Sequence, residues 1–116
     1  GNIKYMSSGN KPLTIYGEGG ILLVVEDVLS AIKIARLRHE GYCATPLLGS
    51  SLSKQAEHQL VKRYKHIYVW LDRDKAKNAV RIRNKLRSQG VESRVIISPL
   101  DPKEYNKTEI SEWLKN

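Results

Sequence analysis

The 116-residue chain contains one cysteine, one methionine and no phenylalanine. The single Cys43 excludes an internal disulfide, and one thiol cannot build a zinc site of several cysteines. It lies in an apolar run and reads as a small buried side chain, which fits a reducing, intracellular compartment. No apolar run approaches the roughly 20 residues of a membrane-spanning helix, and the opening residues carry no signal-peptide pattern. A nucleotide-binding P-loop is excluded by the absence of Gly-Lys-Ser/Thr. No internal repeat or low-complexity segment occurs. Histidine is scarce: His39, His58 and His66 all fall in helical or helix-end polar stretches and read as surface residues. Acids are few as well, with 12 Asp and Glu against 20 Lys and Arg, a formal net charge of +8. That charge favours a polyanionic partner, nucleic acid first.

The length suits one domain with a real core. Residues 1–20 read as an edge strand, Leu13-Thr14-Ile15-Tyr16, or a linker, between the turn signals Gly9-Asn10-Lys11-Pro12 and Gly17-Glu18-Gly19-Gly20. Ile21-Leu22-Leu23-Val24-Val25 is a continuous apolar run, the signature of a strand covered on both faces. A helix then runs to about His39, with Val28, Ala31, Ile32 and Ala35 inward and Lys33, Arg36 and Glu40 outward; Gly41 stops it. Tyr42-Cys43-Ala44-Thr45 is a short strand closed by Pro46. Ser53 caps a helix whose inner face is Ala56, Leu60 and Tyr64. Ile67–Leu71 is a third strand, followed by a helix over residues 75–89 that buries Ala76, Ala79, Ile82 and Leu86. Residues 91–97 form a fourth strand, and residues 108–114 a last short helix. Alternating strands and helices predict an α/β fold: an open, mostly parallel four-stranded sheet flanked by helices with right-handed crossovers.

The acids fall at strand ends. Glu26 follows the first apolar strand, Asp72 and Asp74 the third, and Asp101 lies just past the fourth. In a parallel sheet those ends share one edge, where open α/β sheets bind ligands. By themselves Asp72 and Asp74 also fit a solvated, capped turn. Joined by Glu26 and Asp101, they fit a site for one or two Mg²⁺ ions, which clamp phosphate oxygens and activate an attacking hydroxyl. Lys75 and Lys77 follow the pair, where they read as phosphate contacts or as an ordinary solvated helix turn. Arg81, Arg83, Lys85 and Arg87 are dense in sequence, but helix periodicity scatters them over more than one face.

Val25-Glu26 and Asp72-Arg73-Asp74 at strand ends resemble the Toprim domain of primases, topoisomerases and related nucleases. Leu48-Gly49-Ser50-Ser51-Leu52-Ser53-Lys54-Gln55-Ala56 resembles the loop and helix of bacterial-type and phage primases. Leu71-Asp72-Arg73-Asp74-Lys75-Ala76 and Asp101-Pro102-Lys103-Glu104-Tyr105 resemble two further primase segments. The resemblance spans roughly residues 21–114 and implies a catalytic domain over 21–116. It implies Glu26 as a metal ligand and general base or acid, Asp72 and Asp74 as Mg²⁺ (or Mn²⁺) ligands, and Asp101 as a further metal-site acid. Gly49 and Ser50 would lie near the site, and Lys75, Lys77, Arg81 and Lys103 would contact nucleic acid or phosphate. There are departures. The family usually has Gly after the glutamate, here Asp27; bacterial primases often have Asp where this chain has Ser30; and Lys103 stands in place of a second acid. These leave the number of metal ions open.

The resemblance implies the nucleotidyltransferase domain of a DNA primase, making RNA primers on single-stranded DNA from nucleoside triphosphates. It would work with other domains of a larger replication protein in the cytoplasm of a bacterial or phage-infected cell, at the nucleoid or replication fork. Two alternatives stand beside it. One is a Toprim nuclease or DNA-binding module. The other is a phosphoacceptor receiver domain, which Val24-Val25-Glu26-Asp27 and the distance to Asp72 also resemble. Too little chain follows Asp72 for the remaining receiver elements.

Overall fold

Leu22, Leu23, Val24 and Val25 are fully buried, as a strand flanked on both faces requires. In this computed structural model, which describes residues 3–8, 11–37, 41–49 and 51–115, that strand is central. The elements run β1 (Ile3–Ser8), β2 (Lys11–Tyr16), β3 (Ile21–Val25), α1 (Val28–Ala35), β4 (Tyr42–Pro46), α2 (Lys54–Arg63), β5 (His66–Asp72), α3 (Ala76–Ser88), β6 (Val95–Ser98) and α4 (Lys107–Lys115). The sheet order is β1-β2-β4-β3-β5-β6. β4, β3, β5 and β6 are parallel, with Val25 beside both Pro46 and Trp70, and Asp72 beside Ser98.

Period-2 alternation along the strands sends side chains to two separate cores. Leu22, Val24, Ile67, Val69 and Leu71 pack with Ala56 and Leu60 of α2 and Ala79, Ile82 and Leu86 of α3. Leu23, Val25, Tyr68, Trp70 and Ile96 pack on the other face with Ala31 and Ile34 of α1 and Ile110 and Leu114 of α4. The fold is therefore a three-layer α/β sandwich, the class expected. Trp70, fully buried, donates its indole N–H to Ser98 Oγ at 2.8 Å, tying β5 to β6 just below their ends.

Among the described residues the sheet has six strands: the four parallel ones expected, and two more in a hairpin. The stretch read as an edge strand or linker is half of an antiparallel hairpin, with Ile3 opposite Tyr16 and Ser8 opposite Lys11. β2 is not the edge: Tyr16 pairs with Ala44, Thr45 Oγ1 donates to Thr14 O at 2.8 Å, and β1 lies outside it. Leu13 and Ile15 are buried in the α2/α3-side core, which gives the hairpin its reason to join the sheet. The turn signal at Gly9 and Asn10 lies outside the described residues. At the next turn, a Cβ on Gly19 would meet Gly41 O at 2.1 Å, so only glycine allows β3 to start against the β4 entry.

Two boundaries also differ from the sequence reading. α1 ends at Ala35, because Leu37 N bonds Ile34 O at 2.9 Å in a tightened last turn. Its buried residues are Ser30, Ala31 and Ile34, so the stripe is rotated from the expected Val28, Ala31, Ile32 and Ala35; His39 and Glu40 lie outside the described residues. β6 starts at Val95, with only a single bridge from Glu92 to His66 before it. Arg87 Nε holds that connection by donating to Ser93 O at 2.9 Å.

Candidate metal centre

Three chain reversals deliver acids to the carboxyl edge of the parallel strands. Glu26 is the first residue past β3. Its carbonyl accepts from Leu48 N at 3.4 Å, while Val25 O accepts from Leu47 N at 2.7 Å, so the loop after β4 is fastened beside it. Leu48 has a φ of +52°, a left-handed conformation that a branched side chain adopts at a cost. Asp72 ends β5 and caps a single 3-10 turn, Arg73–Lys75, its Oδ1 accepting from Asp74 N at 2.9 Å. Asp101 precedes the 3-10 turn Pro102–Glu104 that follows β6. One carboxylate oxygen from each of Glu26, Asp72 and Asp101 lies within 4.8 Å of the others.

Each of the two outer acids is half engaged. Glu26 Oε1 faces Lys75 Nζ at 3.8 Å, and Asp101 Oδ2 faces Lys103 Nζ at 3.3 Å. Glu26 Oε2 and Asp101 Oδ1 are buried and have no hydrogen-bond partner among the described residues. Burial pushes the Glu26 carboxyl above its ordinary value, and the charges of Asp101 and Asp72 push it further, against Lys75. Unsatisfied buried acceptors and mutual repulsion both call for a cation. A set of hard carboxylate oxygens, two of them bare, fits a divalent ion of the Mg²⁺ class.

Asp27 turns away from this trio. It caps α1, with Oδ1 accepting from Ser30 N at 2.8 Å, and Oδ2 pairs with Lys103 Nζ at 2.5 Å. Burial alone raises its carboxyl, but the hydrogen bonds from Lys103 and Ser30 outweigh that and hold it below the usual range. The same hydrogen bond to Asp27 raises Lys103 above its ordinary value. Lys103, expected to contact phosphate, is thus placed between two carboxylates. The segment it belongs to is bolted to α1: Lys103 N donates to the fully buried Ser30 Oγ at 3.1 Å, and Lys33 Nζ donates to Tyr105 O at 2.9 Å. Ser30 enters the sequence reading only as a departure from the family pattern; its burial comes from the Lys103 segment docking on α1, which no local signal encodes.

The other expected site residues are placed as follows. Asp74 is exposed on the 3-10 turn and offers its amide to Asp72; it is not part of the close trio. Lys75 is the residue facing Glu26. Lys77 and Arg81 are exposed on α3, and Arg81 donates to Asn78 Oδ1 at 3.4 Å. Gly49 is exposed, with open space where a Cβ would stand, and Ser50 lies outside the described residues.

A mostly parallel sheet with acids converging at its carboxyl edge defines an α/β domain with a candidate divalent-metal site. Residues 23–108 match the Toprim-like family, and the chain belongs to it. Its fold matches solved bacterial primase cores. The structure of the Aquifex aeolicus primase, comprising zinc-binding and RNA polymerase domains, aligns with a TM-score of 0.65 and 22% identity over 83% of this chain and 25% of that one. A DnaG catalytic core aligns with a TM-score of 0.61 and 20% identity, over 85% of this chain and 35% of that one. A DnaG primase catalytic domain bound to ssDNA aligns with a TM-score of 0.63 and 18% identity, over 95% of this chain and 45% of that one. The chain therefore spans less than half the length of each. No curated protein sequence matches it significantly. Among the described residues, no helix is long and apolar enough to cross a membrane.

Proposed function

We propose that this domain is the Mg²⁺- or Mn²⁺-dependent catalytic module of a DNA primase, extending RNA primers on a single-stranded DNA template from nucleoside triphosphates. The observation that carries the reading is the convergence of Glu26, Asp72 and Asp101 at one sheet edge, with two bare buried oxygens. The fold of primase cores, one of them bound to ssDNA, supports the substrate class. The chain spans under half of those proteins, and template recognition would fall to other domains of a larger replication protein.

Glu26, Asp72 and Asp101 would hold the ion, with Asp74 as an outer acid on the flanking turn. When bound, a divalent ion neutralises phosphate charge and acidifies an attacking hydroxyl. The chain's own groups supply the rest. Glu26, whose Oε2 has no hydrogen-bond partner among the described residues, would accept the proton of a primer 3′-hydroxyl as that oxygen attacks the α-phosphate and pyrophosphate leaves. Lys75, held at 3.8 Å from Glu26, is free enough at 41% exposure to turn toward a triphosphate oxygen. Lys77 and Arg81 extend positive charge along α3 for a nucleic-acid backbone.

Glu26→Gln and Asp72→Asn keep side-chain shape and remove charge. In the full-length protein, either should leave folding intact and reduce Mg²⁺-dependent primer synthesis to background. Retained synthesis sinks the assignment. Cleavage of labelled DNA in place of synthesis assigns the same three carboxylates to a nuclease. A stable phosphoryl adduct after treatment with acetyl phosphate supports the receiver reading instead.

A further inference from the structure

Four acids at the carboxyl edge of the sheet sort into two sets by partner. Glu26, Asp72 and Asp101 face one another within 4.8 Å. Asp27 and Asp101 face Lys103, at 2.5 Å and 3.3 Å from its ammonium. Asp101 belongs to both sets and divides its oxygens between them: Oδ2 to the lysine, bare Oδ1 left over. Both oxygens of Asp27 are engaged, by Ser30 N and by Lys103. We propose that Lys103 is a resident cation of a centre that holds a single divalent ion: its ammonium, set between Asp27 and Asp101, stands where a further acidic ligand would be needed for a second ion and weakens the hold of Asp101 on the first.

The inference rests on the divalent-metal reading above and concerns its stoichiometry. A second ion needs carboxylate oxygens not already neutralised. Asp27 and Asp101 are one adjacent pair that could supply them, and a lysine sits between their side chains. That lysine is not a loose surface tether. Its main chain is fixed to buried Ser30 at 3.1 Å, and the residue two places on is fixed by Lys33 at 2.9 Å. Its side chain is 32% exposed, so the ammonium stays where the fold puts it at little desolvation cost. A covalently delivered charge also carries no binding entropy, which a second ion would have to offset.

The test counts bound Mn²⁺ by electron paramagnetic resonance and titration calorimetry on the full-length protein, comparing wild type, Lys103→Met and Lys103→Glu. Circular dichroism checks that each variant folds. Wild type is expected to bind one Mn²⁺ at this centre. Lys103→Met removes the charge but adds no ligand, so it should still bind one, about tenfold tighter, because Asp101 regains its full charge for the ion. Lys103→Glu places a third acid beside Asp27 and Asp101 and should bind two. Should Lys103→Glu fail to fold, the Lys103→Met affinity decides. Two ions in wild type overturn the proposal and leave the metal reading standing, as does an affinity unchanged in Lys103→Met. No Mn²⁺ bound by wild type or Lys103→Met removes the metal reading, and this inference with it.

Discussion

Without metal, Glu26 works against folding, and Glu26→Gln should stabilise the domain. Its carboxylate sits within 4.8 Å of oxygens of both Asp72 and Asp101. At an effective dielectric of about 20, two unit charges at that separation repel by about 3.5 kcal/mol. Lys75, at 3.8 Å from Glu26, returns roughly one such interaction, and Lys103, at 3.3 Å from Asp101, weakens the other. Glu26 is 30% exposed, so solvent and salt screen what remains. The net gain on neutralising it is about 1 kcal/mol, or about 4 °C in Tm for a domain of this size. The pH dependence has a definite sign. The folded carboxyl titrates above its ordinary 4.5, so the folded state binds the proton more tightly than the unfolded state. Wild-type stability therefore falls as pH rises from 4.5 through the raised value, whereas Glu26→Gln has no such loss. Thermal unfolding followed by circular dichroism in EDTA should show the variant ahead of wild type at pH 7.5, with the gap closing at about pH 3.5. Equal or lower Tm for Glu26→Gln at pH 7.5 would refute the picture of an electrostatically strained, metal-free trio.

Ser30→Ala removes the acceptor for Lys103 N and should cost about 1–2 kcal/mol in urea unfolding, while weakening Mn²⁺ binding because the Asp101 segment loses one of its fastenings to α1; unchanged metal affinity would show that the segment holds itself in place. Trp70→Phe loses the buried bond to Ser98 Oγ and part of the packing with Tyr105 and Trp113, for about 2–3 kcal/mol, and the loss should appear mainly as a lower urea midpoint.

The parallel core was legible because its strands are unbroken apolar runs, and an apolar run of strand length has few places to go but the middle of a sheet. The hairpin was harder to read. Leu13 and Ile15 alternate with polar neighbours as a strand should, but nothing local says whether such a strand pairs with its own antecedent or stands alone; the burial that decides it comes from the α2/α3-side core. The stripe of α1 departs from the periodicity for a related reason. Val28 and Ile32 look as apolar as Ala31 and Ile34, and Ser30 looks polar, yet docking of the Pro102 turn onto the helix buries Ser30 completely.

For the centre itself, the order of residues determined that Glu26, Asp72 and Asp101 would each follow a strand, and parallel pairing then puts strand ends on one edge. That is a consequence of connectivity, so the chain alone carries it. Tertiary structure decided the partners, because contacts across 70-odd residues depend on how a turn docks, which no periodicity encodes. By sequence Lys103 is a phosphate-contact candidate standing where the family has a second acid, in a chain of net charge +8. Only its placement between Asp27, 76 positions away, and Asp101, two away, made it the counter-charge of an acidic edge.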